Sequence, residues 1–246
     1  MEYNPFSLKG KTILVTGASS GIGRAIAIEC SKAGASLIIN GRNEERLKET
    51  LQNLTGVNHL TVSADLSSPA GISFLADNIG PIDGLVYAAG ISKRLPLKFI
   101  KEEALMELQK VNFFAPVLIS QRLYKKKLIN DEASLVYISS VAANYSTVGS
   151  IMYMSSKGAL NSFVKGLANE LATGKIRANA ILPGMVKTKM NKSISDEDIN
   201  RDLINYPLGR YGSPEEVAYA AIFLLSDATK WMTGSLLTLD GGLTLR

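Results

Sequence analysis

Apolar strand-like runs alternate with helix-periodic segments along the whole chain, and no other feature limits its possible folds so tightly. Strands are read at Thr12–Thr16, Ser36–Asn40, a run ending in Ala64-Asp65, Gly84–Ala88, Leu135–Ser139, Ala178–Leu182 and Leu236–Leu239. After the first run, Ile22, Ala25, Ile26, Cys30 and Ala33 recur at helical spacing and Gly34 stands as the stop. Leu47, Leu51 and Leu54 mark a second helix, Lys101 to Lys127 a long helical region, and Ile151 to about Ala172 another. Ser213-Pro214-Glu215-Glu216 reads as a capping box with proline at the first helical position. Strands joined by helical crossovers lie parallel, with helices on both faces. The expectation is therefore an α/β fold: one doubly wound domain over residues 1–246 with a seven-stranded parallel sheet. The polar stretch Lys187 to Tyr211 is left as a candidate lid.

The first strand-to-helix junction reads Thr16-Gly17-Ala18-Ser19-Ser20-Gly21-Ile22-Gly23. Glycines there allow a tight turn and let main-chain amides approach a pyrophosphate at the helix N-terminus, as in Rossmann-type dinucleotide sites. Further along, Tyr153 and Lys157 stand four apart in a helical segment and share a face. A free tyrosine titrates near pH 10, and an ammonium beside it is expected to lower that value toward useful acid–base chemistry. Ser140, thirteen residues before Tyr153, tops the fifth strand, from where its hydroxyl would hold a substrate oxygen.

Composition removes several other classes. With one cysteine, Cys30, and one histidine, His59, the chain has no intrachain disulfide and lacks the ligands of a usual Cys/His zinc site. His59 lies in a turn-like stretch and is read as a solvated loop residue. Cys30 falls on an apolar stripe and is read as core. No apolar run reaches the roughly 18 residues of a membrane span, and the N-terminal segment lacks a signal-peptide pattern, so a cytoplasmic address is expected. The net charge of +5 comes from scattered residues, with Lys125-Lys126-Lys127 the only dense run, so no nucleic-acid partner is expected.

The Gly-x-x-x-Gly-x-Gly spacing resembles the short-chain dehydrogenase/reductase family. So do Asp65 after the third strand, Ala88-Ala89-Gly90 after the fourth, Asn112 in the long helix, Ser140, Tyr153-x-x-x-Lys157, Pro183-Gly184 and a Gly241-Gly242 ending. Within the family the chain looks most like the 3-oxoacyl-carrier-protein reductase group. The resemblance implies a catalytic set of Asn112, Ser140, Tyr153 and Lys157, with Asn112 carrying a water between Lys157 and solvent. It assigns a dinucleotide to Gly17, Ser19, Ser20, Gly21, Ile22, Gly23, Arg42, Asp65, Leu66, Ala89, Gly90, Tyr153, Lys157, Pro183, Gly184, Val186 and Thr188. In that set Asp65 accepts the adenine amino group, and Val186 and Thr188 hold the nicotinamide carboxamide.

One motif departs from the family. Where Asn-Asn-Ala-Gly is usual, this chain has Tyr87-Ala88-Ala89-Gly90, which removes the asparagine hydrogen bonds of the central sheet.

The end of the second strand selects the cofactor. An NAD site places a carboxylate there, whereas this chain has Gly41 followed by Arg42, whose planar guanidinium suits a 2′-phosphate. NADP(H) is therefore expected, with a small carbonyl or alcohol substrate and, by resemblance, a homodimer or homotetramer. The apolar run Trp231 to Leu239 fits a buried or subunit-facing segment. A dehydrogenase of a sugar, steroid or other secondary alcohol would use the same residues. A non-catalytic NADP-binding regulator is the reading from another class, and the joint presence of Ser140, Tyr153 and Lys157 argues against it.

Overall fold

The computed structural model describes residues 3–188 and 196–245. Its strands are β1 Thr12–Thr16, β2 Ser36–Gly41, β3 Leu60–Ser63, β4 Ile82–Tyr87, β5 Ile129–Ile138, β6 Arg177–Pro183 and β7 Leu236–Leu239. They form one seven-stranded sheet in the order β3-β2-β1-β4-β5-β6-β7, every neighbouring pair parallel. The helices are α1 Gly21–Lys32, α2 Glu44–Gln52, α3 Pro69–Asp77, α4 Glu102–Gln109, α5 Ala115–Lys125, α6 Ile151–Glu170, α7 Asp196–Leu203 and α8 Pro214–Leu225. Among the described residues no helix is long and apolar enough to cross a membrane.

Side chains alternate across the pleat, so each strand feeds two cores. Leu14, Ile38, Leu85, Tyr87, Leu135 and Tyr137 pack on one face, beneath Ile119 and Leu123 of α5 and Leu160 and Val164 of α6. Ile13, Val15, Leu37, Ile39, Val86 and Val136 pack on the other, against Ala25, Ile26 and Cys30 of α1 and Val217, Ala221 and Leu224 of α8. Cys30 is fully buried, and burial raises its thiol pKa far above the ordinary value. The Ser213 hydroxyl accepts from the Glu216 amide while the Glu216 carboxylate accepts from the Ser213 amide, the predicted capping box.

Several expectations need correction. Strand β3 stops at Ser63, because Asp65 already begins the turn into α3: its carboxylate accepts from the Ser67 amide at 2.9 Å, and Ser68 is the N-cap. Strand β5 starts at Ile129, six residues early, since Asn130 to Glu132 are polar and exposed and mask the strand signal. The long helix is broken by a π-turn, Lys110–Phe114. His59 is no free loop residue: its Nδ1 accepts from the Leu37 amide at 3.1 Å and its Nε2 lies 3.1 Å from the Thr55 carbonyl. Trp231 is fully exposed and no residue of its run to Leu239 is buried within the protomer. The polar stretch 187–211 contains α7 and an exposed tail whose two buried residues, Tyr206 and Tyr211, stack edge-on at 5.3 Å; residues 189–195 lie outside the described ones.

Buried Arg177, at the start of β6, donates to the Leu224 and Ser226 carbonyls at 2.8 and 3.2 Å and to the Thr229 hydroxyl at 2.9 Å. It thereby satisfies the C-terminal carbonyls of α8 with a cation. Arg177→Met should lower unfolding stability by about 3 kcal/mol, the scale of a charge-assisted hydrogen-bond set left unmade. Urea melts would measure this, and a change near zero would contradict the role.

Candidate active site

Sheet order reverses between β1 and β4, so the crevice at their C-terminal ends is where such a sheet receives a ligand. The two strand ends touch through main chain. Gly17 has φ +67°, and a Cβ there would lie 2.8 Å from the Ala89 Cα and N. The Thr16 hydroxyl accepts from the Ala88 and Ala89 amides at 3.1 and 3.3 Å. A Cβ on Gly23 would run into the Gly17 carbonyl. Helix α1 then starts with no side chain capping it and no acidic residue in its first turn. Its first amides are left for an anion, so this cradle fits a pyrophosphate. A cleft of about 250 Å³ beside it is lined by Ser19, Ser20, Gly21, Arg24, Arg46, Lys187 and Thr188 among others.

At the end of β2, a Cβ on Gly41 would meet the Ser19 side chain at 3.2 Å, which places Gly41 and Ser19 side by side. Arg42 follows, exposed, and pairs with no carboxylate among the described residues. Of the acids near it, Glu44 pairs with Lys48 and Glu49 with Arg24, both at 2.9 Å. Asp65 is exposed one strand further out, whereas Leu66 is buried in the core.

Across the crevice, Tyr153 and Lys157 share the face of α6 as their spacing implied. Lys157 is almost fully buried, its Nζ donates to the Ile138 carbonyl at 2.8 Å, and it stands 5.7 Å from the Tyr153 ring centre. Burial pulls its pKa down to about 8. Burial also raises the Tyr153 phenol, partly offset by the neighbouring Ser140 hydroxyl. The expected lowering of Tyr153 by Lys157 is thus not seen: burial raises the phenol, and the ammonium donates to the Ile138 carbonyl. Ser140 is half-buried beside Tyr153, whereas Ser139 is buried and its hydroxyl donates to the Lys157 carbonyl at 3.4 Å.

Asn112 is fully buried in the π-turn. Its Oδ1 accepts from the Ile91 amide, and its Nδ2 donates to the Ile91 carbonyl, all at 2.9 Å, and to Ser156 Oγ at 3.2 Å. Ser156 in turn donates to the Tyr153 carbonyl at 2.7 Å. Gly90 completes the group: a Cβ there would lie 3.4 Å from Asn112 Oδ1 and 3.8 Å from Lys157 Nζ. Ser156 and Thr16 escaped the sequence reading. Ser156 carried a signal, a small polar residue one helical turn after Tyr153, whereas nothing in the strand marked Thr16. Pro183 ends β6, the Gly184 amide donates to the Leu239 carbonyl at 3.0 Å, and Val186 bridges to Gly212. Thr188 leans over the cradle, with its Cγ2 3.5 Å from where a Gly21 Cβ would sit. Of the predicted site residues, Ser19, Ser20, Gly21 and Thr188 share the cleft beside α1, while Gly90, Asn112 and Lys157 lie together beyond Ala89; among the described residues no three His, Cys, Asp or Glu side chains cluster as a metal site would need.

Known proteins share this arrangement of sequence and fold. A family model described as enoyl-(acyl carrier protein) reductase matches residues 17–244. The 3-oxoacyl-[acyl-carrier-protein] reductase of Aquifex aeolicus is 37% identical, over 96% of this chain and 98% of its own length. Carbonyl reductase family member 4 of Danio rerio is 34% identical, over 94% and 97%. Among solved structures, the Pseudomonas aeruginosa RhlG/NADP active-site complex superposes with a TM-score of 0.92 at 32% identity, covering 98% of this chain and 99% of that one. A putative 2-deoxy-d-gluconate 3-dehydrogenase of Agrobacterium tumefaciens with bound NADP gives 0.89 at 32% identity, over 99% and 100%.

Proposed function

This chain belongs to the short-chain dehydrogenase/reductase family, and from that premise we propose that it reduces the carbonyl of a 3-oxoacyl thioester or related ketone to a secondary alcohol with NADPH. One observation carries the reading. Tyr153 stands beside Ser140 and buried Lys157, Lys157 lies near Gly90, and the adjoining Ala89 packs on Gly17 in the glycine cradle ahead of the uncapped α1 N-terminus.

Bound NADPH supplies the hydride. The chain's residues do the rest. The Gly17–Gly23 cradle and the α1 amides hold the diphosphate, Arg42 with Ser19 and Ser20 the 2′-phosphate, and Asp65 the adenine amino group. Pro183, Gly184, Val186 and Thr188 border the nicotinamide end, and Ala89 and Gly90 admit the cofactor because no side chain blocks the β4 end. The Ser140 hydroxyl donates to the substrate oxygen and keeps it beside Tyr153, whose phenol hands over its proton as the carbon is reduced. Lys157 holds the nicotinamide ribose and steadies the phenolate left behind. Asn112 spends its side-chain amide on Ile91 and Ser156, which leaves its main chain for a relay water. Pro116 favours this, because it has no N–H to send to the Asn112 carbonyl as a regular helix would.

The sugar-acid dehydrogenase relative supports a second reading, oxidation of a secondary alcohol with the same residues. Purified protein assayed with NADPH against acyl thioester, sugar and diketone substrates separates the two. Exposed Met106, Phe114 and Leu118 on the α4–α5 side fit assembly as a homodimer or homotetramer.

Tyr153→Phe keeps the ring and removes the proton, so turnover should fall by on the order of a hundredfold or more while NADPH affinity stays close to wild type. Near-wild-type turnover would refute the mechanism.

The acidity of Lys157 sets a pH dependence with a definite sign. Its useful form is the ammonium, and its pKa in the free protein lies at about 8. The kcat/KM for NADPH should therefore be level below that pH and fall about tenfold per unit above it. A profile flat to pH 10 would contradict the assignment.

Removal of Arg42 tests the phosphate contact. A charge-assisted bond of roughly 1.5–3 kcal/mol corresponds to about ten- to hundredfold in affinity. Arg42→Ala should weaken NADPH by that factor and leave NADH nearly unchanged. Gly41→Asp should go further, with Ser19 yielding a few tenths of an ångström to admit the carboxylate. Neither variant moving the NADPH/NADH ratio, or wild type preferring NADH, would reassign the cofactor to NAD.

A further inference from the structure

Tyr87 occupies the place where the family usually has asparagine, and its side chain reaches much further. It is 1% exposed, and its hydroxyl donates to the Val111 carbonyl at 2.8 Å. That carbonyl needs a donor from outside its helix. In an α-helix its partner would be the Ala115 amide, but the π-turn sends that amide to the Lys110 carbonyl. In a continued π-helix its partner would be residue 116, which is proline and has no N–H. Both main-chain donors are therefore missing one residue before Asn112. Deep burial raises the Tyr87 phenol far above its ordinary pKa, so it remains a donor at any working pH.

The neighbouring strand supplies a built-in comparison. Tyr137 is the register partner of Tyr87. Its hydroxyl lies 2.7 Å from Ser120 Oγ, which donates to the Pro116 carbonyl at 2.6 Å. Two tyrosines thus pin the broken helix to the sheet, one at the π-turn and one along α5.

We propose that Tyr87 is a positioning residue for catalysis: by holding the Val111 carbonyl it fixes the π-turn in the shape that seats Asn112 between Ile91 and Ser156. This rests on the reading of Asn112 as a member of the proton relay. Without the hydroxyl the turn is free to regularise, and Asn112 rotates out of register with α6.

A double-mutant cycle on the full-length protein tests this, following NADPH oxidation with a simple diketone. Tyr87→Phe should lower kcat by on the order of tenfold, the scale of a small misplacement at a reacting centre, with the NADPH Kd unchanged. Tyr137→Phe should reduce thermal stability but leave kcat unchanged. Because Tyr87 acts through Asn112, Tyr87→Phe combined with Asn112→Ala should be no slower than Asn112→Ala alone. Losses that multiply would overturn the assignment while leaving the relay standing, whereas a full-speed Asn112→Ala would overturn both. Should Asn112→Ala fail to fold, the solvent deuterium isotope effect on kcat decides with Tyr87→Phe alone. A rise means proton delivery has become slower, and an unchanged value overturns the proposal.

Discussion

The whole site depends on a backbone-to-backbone approach between the ends of β1 and β4. Gly17 lies against Ala89 with no room for a Cβ, and the Thr16 hydroxyl ties the amides of Ala88 and Ala89 to the same strand end. This contact sets the depth of the crevice. On one side it aims α1 and its free amides, and on the other it brings Gly90 so near Asn112 that a Cβ there would touch its Oδ1. A side chain at Gly17 would force the two strand ends apart.

Burial then decides the chemistry. Tyr153 and Lys157 are moved in the directions that disfavour their charged forms, the phenol up and the ammonium down. A group poised this way costs stability and gains reactivity, which is common for residues with work to do. The arrangement is kept in place by polar bonds that are themselves buried: Lys157 to Ile138, Asn112 to Ile91 and Ser156, Ser156 to Tyr153. Such a network is rigid because each partner lacks water as an alternative.

Much of this was legible in the sequence. Strand–helix alternation gave the topology because parallel strands are buried on both faces and read as plain apolar runs. Spacing placed Tyr153 and Lys157 on one face of α6. What escaped was long-range or local in ways a linear pattern does not carry. The π-turn leaves the hydrophobic pattern of a helix nearly intact, so 101–127 read as continuous. The exposed start of β5 has no apolar signal. His59 looks like a loop residue until its ring is seen serving the Leu37 amide on the neighbouring strand. The sign of the Tyr153 shift also depends on where Lys157 points, and only three-dimensional placement shows the ammonium turned to Ile138. The loss of the family's asparagine at position 87 read as a deficit, because the new partner lies twenty-four residues away in a turn that the sequence did not announce.

The burial of Cys30 has a practical side. It is the chain's one thiol, it sits inside the layer between α1 and the sheet, and its proton is held far more tightly than in water. A thiol reagent attacks only the thiolate and only where it can reach. Alkylation of this protein therefore waits until α1 lifts from the sheet, and since α1 begins at the glycine turn, the same opening undoes the packing of that turn. The labelling rate is a clock for that event, already present in the natural chain.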